Sequence, residues 1–402
     1  MDGRLLFKDV ALLEGERLVP GRAVVVEGAA ISRVGTDEAS PSLPGDWTVD
    51  GRGRLLLPGR VDAHARLAGP SPGRPWSTAE VEVLAAASLA RALRSGVTSV
   101  FEHLEGVDRP GEALAAEALT AERLGVRLLA AYATGGERWE GPLGENLDFV
   151  RAWSAHALVR GAVGMSRVAD ASDALLERVA GALGATGAPL HLGLAETDED
   201  LVLTHQRYGL RTVERLQGHG LLGPSTIAAH ARCIDAHEAR VLAEREVLVA
   251  WSPLRDLLGE GHGFEALWIP EHRVALGTSG TGSLPQQWDA ARAMARRATR
   301  LGRLWPEELL AELLLDGASA LLSRLFGAAA GRVTPGALAD LVLLDFVPAA
   351  DAWTVELAAD ASRAPAAWTV VGGRVAVRDG QLLGADGLLL EREAAAVRRA
   401  RA

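Results

Sequence analysis

The stretch Leu57-Pro58-Gly59-Arg60-Val61-Asp62-Ala63-His64-Ala65-Arg66-Leu67 has the cadence of a β-strand that ends in two side chains of one parity, His64 and Arg66. Residues two apart on a strand share a face, so whatever His64 points at, Arg66 points at too. A neutral imidazole is a common metal ligand. A guanidinium has no free lone pair and stays cationic at any working pH, so Arg66 offers no coordination and repels a divalent ion. Whether a chain so marked is an enzyme at all is the question posed to the rest of the sequence.

Before this stretch, residues 1–57 read as short strands, with β-rich runs at Arg4–Leu13, Arg22–Glu27 and Ala30–Gly35 set off by Gly and Pro. The same texture returns at Ala339–Asp345 and at Trp368–Val377, the latter split by a Gly372-Gly373 hairpin turn. One composite β-sandwich built from residues 1–57 and 330–390 is the economical reading. Between the two ends, strands and helices alternate. Ser77-Thr78-Ala79-Glu80 is a capping box that opens a helix to about Ser95. Further strands are expected at Thr98–His103, Arg127–Ala133, Ala157–Ser166, Pro189–Leu194, Ser225–His230, Glu246–Trp251 and Arg273–Gly277. Helices are expected over Gly111–Leu124, from Ser172 to near Gly187, over Asp198–Gln217 and over Asp235–Arg245. Residues between Ala133 and Ala157 read as a long irregular stretch. This order predicts an α/β fold, a (β/α)8 TIM barrel over residues 58–329, with reactive groups at the strand C-terminal ends. Residues 391–402 read as a terminal helix or frayed tail.

Composition narrows the partners. A chain of 402 residues with 48% hydrophobic residues can bury a large core, enough for a barrel and a smaller domain. The net charge of −10, with arginines scattered among acids, argues against a nucleic-acid or anionic-membrane surface and leaves small molecules open. No apolar run is long enough to cross a bilayer, and Asp2, Arg4, Lys8 and Asp9 stand where a signal peptide needs an apolar run, so a cytoplasmic location is expected. The sole cysteine, Cys233, excludes an intrachain disulfide and reads as a small buried side chain.

Several segments carry a family likeness when taken in order. They are the Leu57-Pro58-Gly59 start, Ser95–His103, Leu190-His191-Leu192-Gly193-Leu194-Ala195-Glu196, Ile227–His230, Leu276-Gly277-Thr278-Ser279-Gly280, and Asp316-Gly317-Ala318 with Ala339-Asp340-Leu341. On these the chain resembles the aminohydrolase and chlorohydrolase branch of the amidohydrolase superfamily, and within it the SsnA-like aminohydrolases. The resemblance implies one divalent metal held by two first-strand histidines, a fifth-strand histidine and an eighth-strand aspartate. Transferred position by position, the first ligand is His64, and the other three positions carry Arg66, Gly193 and Ser279. A carboxylated barrel lysine, which some of these enzymes use to bridge two metals, is not available either, since Lys8 is the only lysine. The resemblance makes Glu196 the proton shuttle and His230 the sixth-strand histidine that orients water or polarises substrate. His191 shares the parity of Gly193, and His103 ends the second strand. Gly277–Gly282 is better explained as an altered family turn than as a phosphate cradle, because it lacks a P-loop lysine.

With three of four ligands replaced, the sequence by itself favours a protein with no metal and no other cofactor, a pseudoenzyme with a degenerate metal site. In that reading it is a catalytically silent or weakened ligand-binding or partner subunit, acting as a homodimer or beside an active paralogue. The alternative is a hydrolase of C–N bonds in a nitrogen heterocycle, with Glu196 and His230 in rewired metal-independent chemistry or with a metal shifted onto His64, His103, His191 and His230. The expected catalytic pair is Glu196 and His230, and the expected ligand-binding set is His64, Arg66, His103, His191 and Ser279. Arg66 is expected either to pair with Glu196 or to anchor an anionic ligand.

Overall fold

The computed structural model describes residues 3–260, 273–300 and 310–401, apart from 312, 314 and 316; Asp316 of the family-like motif lies outside the described residues. Strands β1 (Leu5–Glu14), β2 (Arg17–Glu27), β3 (Ala30–Thr36) and β4 (Trp47–Asp50) form one sheet, in the order β3-β2-β1-β4. The short β5 (Leu56–Pro58) leaves that sheet and pairs antiparallel with a strand from the other end of the chain, β15 (Leu341–Leu344), placing Leu57 opposite Val342. Strands β16 (Ala366–Val371), β17 (Arg374–Arg378) and β18 (Gln381–Leu382) extend that second sheet. Phe7, Val10 and Val24 of the first sheet share one apolar core with Leu341, Leu343 and Trp368 of the second.

The central part of the chain forms two parallel sheets. Strands β6 (Arg60–Ala65), β7 (Val97–Leu104), β8 (Arg127–Tyr132) and β9 (Val159–Gly161) make the first. Strands β10 (Val163–Arg167), β11 (Leu190–Leu194), β12 (Thr226–His230), β13 (Leu248–Trp251) and β14 (Arg273–Leu276) make the second. A single closed ladder of eight strands is therefore not what forms. The expected strand Ala157–Ser166 is divided at Ala162, between Gly161 and Gly164, and glycines inside a strand mark such breaks. Asn146 spans the break: its Nδ2 donates to Ala162 O and its Oδ1 accepts from Gly164 N, each at 2.8 Å. At the other seam, Ser279 N donates to His64 O at 2.7 Å, and a Cβ on Gly277 would lie 2.9 Å from both N and Cβ of His64, so glycine is what lets these backbones meet. Ala63, Phe101 and Leu129 of the first sheet pack with Ile227, Leu248 and Ala275 of the second in one interior cluster.

The helices lie between these strands. Helix α1 (Thr78–Arg94) starts at the predicted capping box, with Ser77 and Glu80 satisfying each other's backbone N–H groups. Helix α2 (Pro110–Leu124) follows as expected. The stretch read as irregular holds α3 (Glu140–Ala152), which Gly141 and Gly144 conceal in the sequence and which buries Leu143, Asn146, Phe149 and Val150 on one face. After α4 (Asp173–Thr186), the expected Asp198–Gln217 helix is two, α5 (Asp198–Tyr208) and α6 (Thr212–Gly218), because Gly209 adopts a left-handed conformation and ends α5. The last helix runs over Gly387–Arg399, starting earlier than expected at an Asp386 cap. Arg127 and Asp340, a buried ion pair with Nη2 to Oδ1 at 3.1 Å, tie the first parallel sheet to β15. Among the described residues, no helix is long and apolar enough to cross a membrane.

Candidate active site

Parallel strands gather their C-terminal side chains at one end of the sheet, and four histidines meet there. His64 and His103 are the next-to-last residues of β6 and β7, His191 is the second residue of β11, and His230 ends β12. All four are buried. Their ring centroids lie close together: His64 is 5.4 Å from His103, 5.0 Å from His191 and 5.0 Å from His230, and His103 is 4.7 Å from His191. His64 Nδ1 and His191 Nε2 share a hydrogen bond of 2.9 Å. Among the described residues, His64 Nε2, His191 Nδ1 and both ring nitrogens of His230 have no hydrogen-bond partner.

Burial sets the charge state of this cluster. It pushes His64, His191 and His230 well below the ordinary 6.5 and His103 down to about 3. Neighbouring imidazoles add to the effect at His64, and the Arg66 charge adds to it at all four. The imidazoles are neutral at pH 7, each with one donor and one acceptor nitrogen.

A ring of ion pairs surrounds them. Arg66 Nη1 meets Glu105 Oε1 at 2.7 Å, so the arginine takes its partner from the turn after β7 rather than from Glu196. Glu196 Oε1 instead receives Arg255 Nη2 at 3.1 Å, with Arg232 Nη2 at 3.8 Å and His230 Nε2 at 3.7 Å. Arg255 Nη1 also donates to Ser279 Oγ at 3.1 Å, joining the end of β11 to the turn after β14. Behind His64, Asp62 accepts from Thr278 N at 2.9 Å and Thr278 Oγ1 at 2.6 Å; burial raises its carboxyl to about 6 against those hydrogen bonds. Burial raises the Cys233 thiol to about 11, away from the thiolate that a nucleophile needs.

The backbone at this end of the strands is strained. Ala195, His230, Ala231 and Ser279 all have positive φ, from +42° to +73°, without being glycine. Such residues cost about 1–3 kcal/mol each and persist where the surroundings hold a functional geometry. The residues expected from the sequence, Glu196, His230, His64, Arg66, His103, His191 and Ser279, lie near one another in the two parallel sheets. The sequence reading missed Glu105 and Arg232, on connecting segments, and Arg255, at the end of the short helix Pro253–Arg255, places where no periodicity singles them out. Arg232, two residues past His230, was the one with a positional hint.

The donor set does not fit the ion implied by the resemblance. Arginine at 66 and serine at 279 supply neither imidazole nor carboxylate, and glycine at 193 supplies nothing. His64 Nδ1 is already engaged by His191, and among the described residues no group of three or more His, Cys, Asp or Glu side chains is set to hold a metal.

A model of the amidohydrolase family matches residues 55–376. The chain belongs to the amidohydrolase family. It is 26% identical over 395 residues to the 5'-deoxyadenosine deaminase of Methanosarcina mazei, covering 90% of this chain and 89% of that protein. It is 30% identical to the 5-methylthioadenosine/S-adenosylhomocysteine deaminase of Nitratidesulfovibrio vulgaris, over 60% of this chain and 59% of that one. In fold, the family member resembles a zinc-bound adenosine deaminase from Xanthomonas campestris, with a TM-score of 0.86 at 21% identity over 99% of this chain and 98% of that one. A triazine hydrolase from Arthrobacter aurescens gives a TM-score of 0.80 at 19% identity, over 98% of this chain and 99% of that one. The expectation of a silent subunit is overturned by these findings. Relatives matched over nine-tenths of the chain are named deaminases, so the pseudoenzyme reading, with the loss of activity it drew from the replaced ligands, gives way to that of a hydrolytic enzyme.

Proposed function

We propose that this amidohydrolase is a hydrolase that cleaves an exocyclic C–N bond of a nitrogen heterocycle, with Glu196 and His230 supplying proton transfer and polarisation at residues rewired from the family pattern. The observation that carries the reading is the approach of Glu196 Oε1 to His230 Nε2 at 3.7 Å, on strained strand ends beside Arg255. In this reaction a water oxygen attacks the ring carbon that bears the amino group, and the Glu196 carboxylate takes the water proton. The C–N bond then breaks, and ammonia leaves with a proton returned by Glu196. Charge building on the ring nitrogen is met by the neutral His230 N–H and by the guanidinium groups of Arg66 and Arg255. The relatives' names put 5'-deoxyadenosine and 5'-methylthioadenosine first among substrates to try, with adenosine beside them. Ammonia release from this panel is the test, expected to vanish in Glu196→Gln and His230→Ala. A well-folded protein that releases no ammonia from any of the three would count against the reading.

We further propose that the two parallel sheets are the arcs of a (β/α)8 barrel over residues 58–329, and that residues 1–57 with 330–390 make a composite β-sandwich. The shared interior cluster and the seam at His64 and Ser279 support the first proposal; the β5–β15 pairing and the common core support the second. The last helix, Gly387–Arg399, then docks on α1 through Arg91 and Glu391.

A further inference from the structure

Behind β6, away from the histidine cluster, α1, the Ala65–Gly69 segment, the 280–284 turn and the C-terminal helix enclose a cavity of about 470 Å³. Its volume lies in the range of small-molecule sites, about 300–1,000 Å³. Leu67, Val100 and Leu284 give it an apolar floor, and none of the four clustered histidines lines it. Four arginines line it as well, Arg66, Arg91, Arg94 and Arg398, against one acid, Asp62, whose carboxyl is already held by Thr278. Two of those cations have partners: Arg66 is paired with Glu105, and Arg91 Nη1 meets both oxygens of Glu391 at 2.7 and 2.8 Å. Among the described residues, Arg94 and Arg398 make no ion pair. Glu391 is near enough to favour the Arg398 charge, but burial and the Arg91 charge outweigh it and disfavour that cation. An excess of positive charge over an apolar floor stands out in a chain whose net charge is −10.

We propose that this cavity binds an organic anion, a carboxylate or phosphate head on an apolar body, with the head at Arg94 and Arg398 and the body against Leu67, Val100 and Leu284. A guanidinium matches either head through bidentate hydrogen bonds, and the apolar floor adds what a free inorganic anion would lack. The head-binding arginines, Arg94 and Arg398, take no part in the reaction proposed above, whereas Arg66 borders both sites. Since Arg66 and Thr278 form part of its wall, an occupant touches the back of the strand that delivers His64.

Calorimetric titration of the whole protein with octanoate, octyl phosphate and octanol tests this. One equivalent of octanoate or octyl phosphate is expected to bind, with octanol at least tenfold weaker, and the ratio of the two anions tells which head the site prefers. Arg94→Glu with Arg398→Glu, both at the surface, should weaken the anions tenfold or more and leave octanol unchanged. Ala92→Trp, which fills the cavity from α1, should abolish binding of all three. Octanol binding as tightly as octanoate, anion binding that ignores the double charge reversal, or no binding of either anion to the unmodified protein would each overturn the proposal.

Discussion

Two neighbouring residues on β7 bury ionisable groups on opposite faces of the same strand. His103 turns toward the other three histidines, whereas Glu102 accepts a hydrogen bond from Leu67 N at 2.9 Å on the outer side and is raised well above the ordinary carboxylate range by burial and by the nearby Glu117 charge. Glu117, on α2, is raised to about 8 by burial, and among the described residues neither of its carboxyl oxygens has a hydrogen-bond partner. Both faces therefore keep titratable groups neutral by desolvation. Only the inner group sits at strained strand ends, with free ring nitrogens beside a carboxylate and three arginines. Burial alone perturbs charge; a reactive site also needs convergence, and the outer pair, sealed under helices, lacks it.

The largest effect expected from this contrast is on turnover. Glu196→Gln or His230→Ala should lower the rate about 100-fold or more, the usual contribution of a positioned acid–base group, while Glu117→Gln leaves it within about twofold. Steady-state assays of ammonia release separate the two, and comparable losses in all three variants would erase the distinction between the faces.

Next in size is the seam. Gly277→Ala places a methyl 2.9 Å from His64 and should destabilise the protein by about 1–3 kcal/mol, the typical cost of overpacking, in a denaturant titration.

The two faces also predict opposite pH dependences. The histidines, held below 6.5 when folded, are charged on unfolding at lower pH, so the stability present above about 6.5 is lost as the solution is acidified. The Glu102–Glu117 pair runs the other way. Its raised values contribute stability below the ordinary 4.5 that disappears as the pH climbs through about 8. Melting curves of Glu117→Gln should gain on the unmodified protein by a few degrees between pH 5 and pH 8. A constant difference across that range would show that the pair does not titrate as described.

The smallest effect belongs to Gly193. A Cβ there would lie 3.6 Å from Ser166 O, an ordinary contact, so Gly193→Ala should change stability by less than about 0.5 kcal/mol. A large loss would mean that the backbone needs glycine for a reason the packing does not reveal.

Much of this was legible in the sequence because strands advertise themselves by period two and by Gly and Pro punctuation. His64 and His230 were expected near one another from the family likeness, His103 from its strand end and His191 from its parity with Gly193, and the four rings meet. The division of the fourth strand at Ala162 and of the 198–217 helix at Gly209 were not legible, since a glycine read as tolerated within an element here ends one. Helix α3 was hidden because Gly141 and Gly144 lower its propensity while its buried face secures it through packing. The ion pairs around the site were misread for a different reason. Arg66 goes to Glu105, and Arg255 goes to Glu196, because partners on connecting segments and short helices are fixed by tertiary placement and carry no spacing signature. The loss of activity inferred from positions 66, 193 and 279 rested on ligand chemistry alone. It was overturned by relatives aligned over nearly the whole chain, which no inspection of those positions contains.

The central claim, C–N hydrolysis by Glu196 and His230 at residues that do not fit the family's ion, is tested most directly by one assay. Protein stripped with chelator and verified by elemental analysis would be incubated with 5'-deoxyadenosine, 5'-methylthioadenosine and adenosine, and the ammonia released would be measured beside Glu196→Gln. The account predicts release from at least one of the three in the presence of chelator, lost in the variant. Release that stops in chelator and returns with added zinc, or no release from any substrate by the unmodified protein, would contradict it.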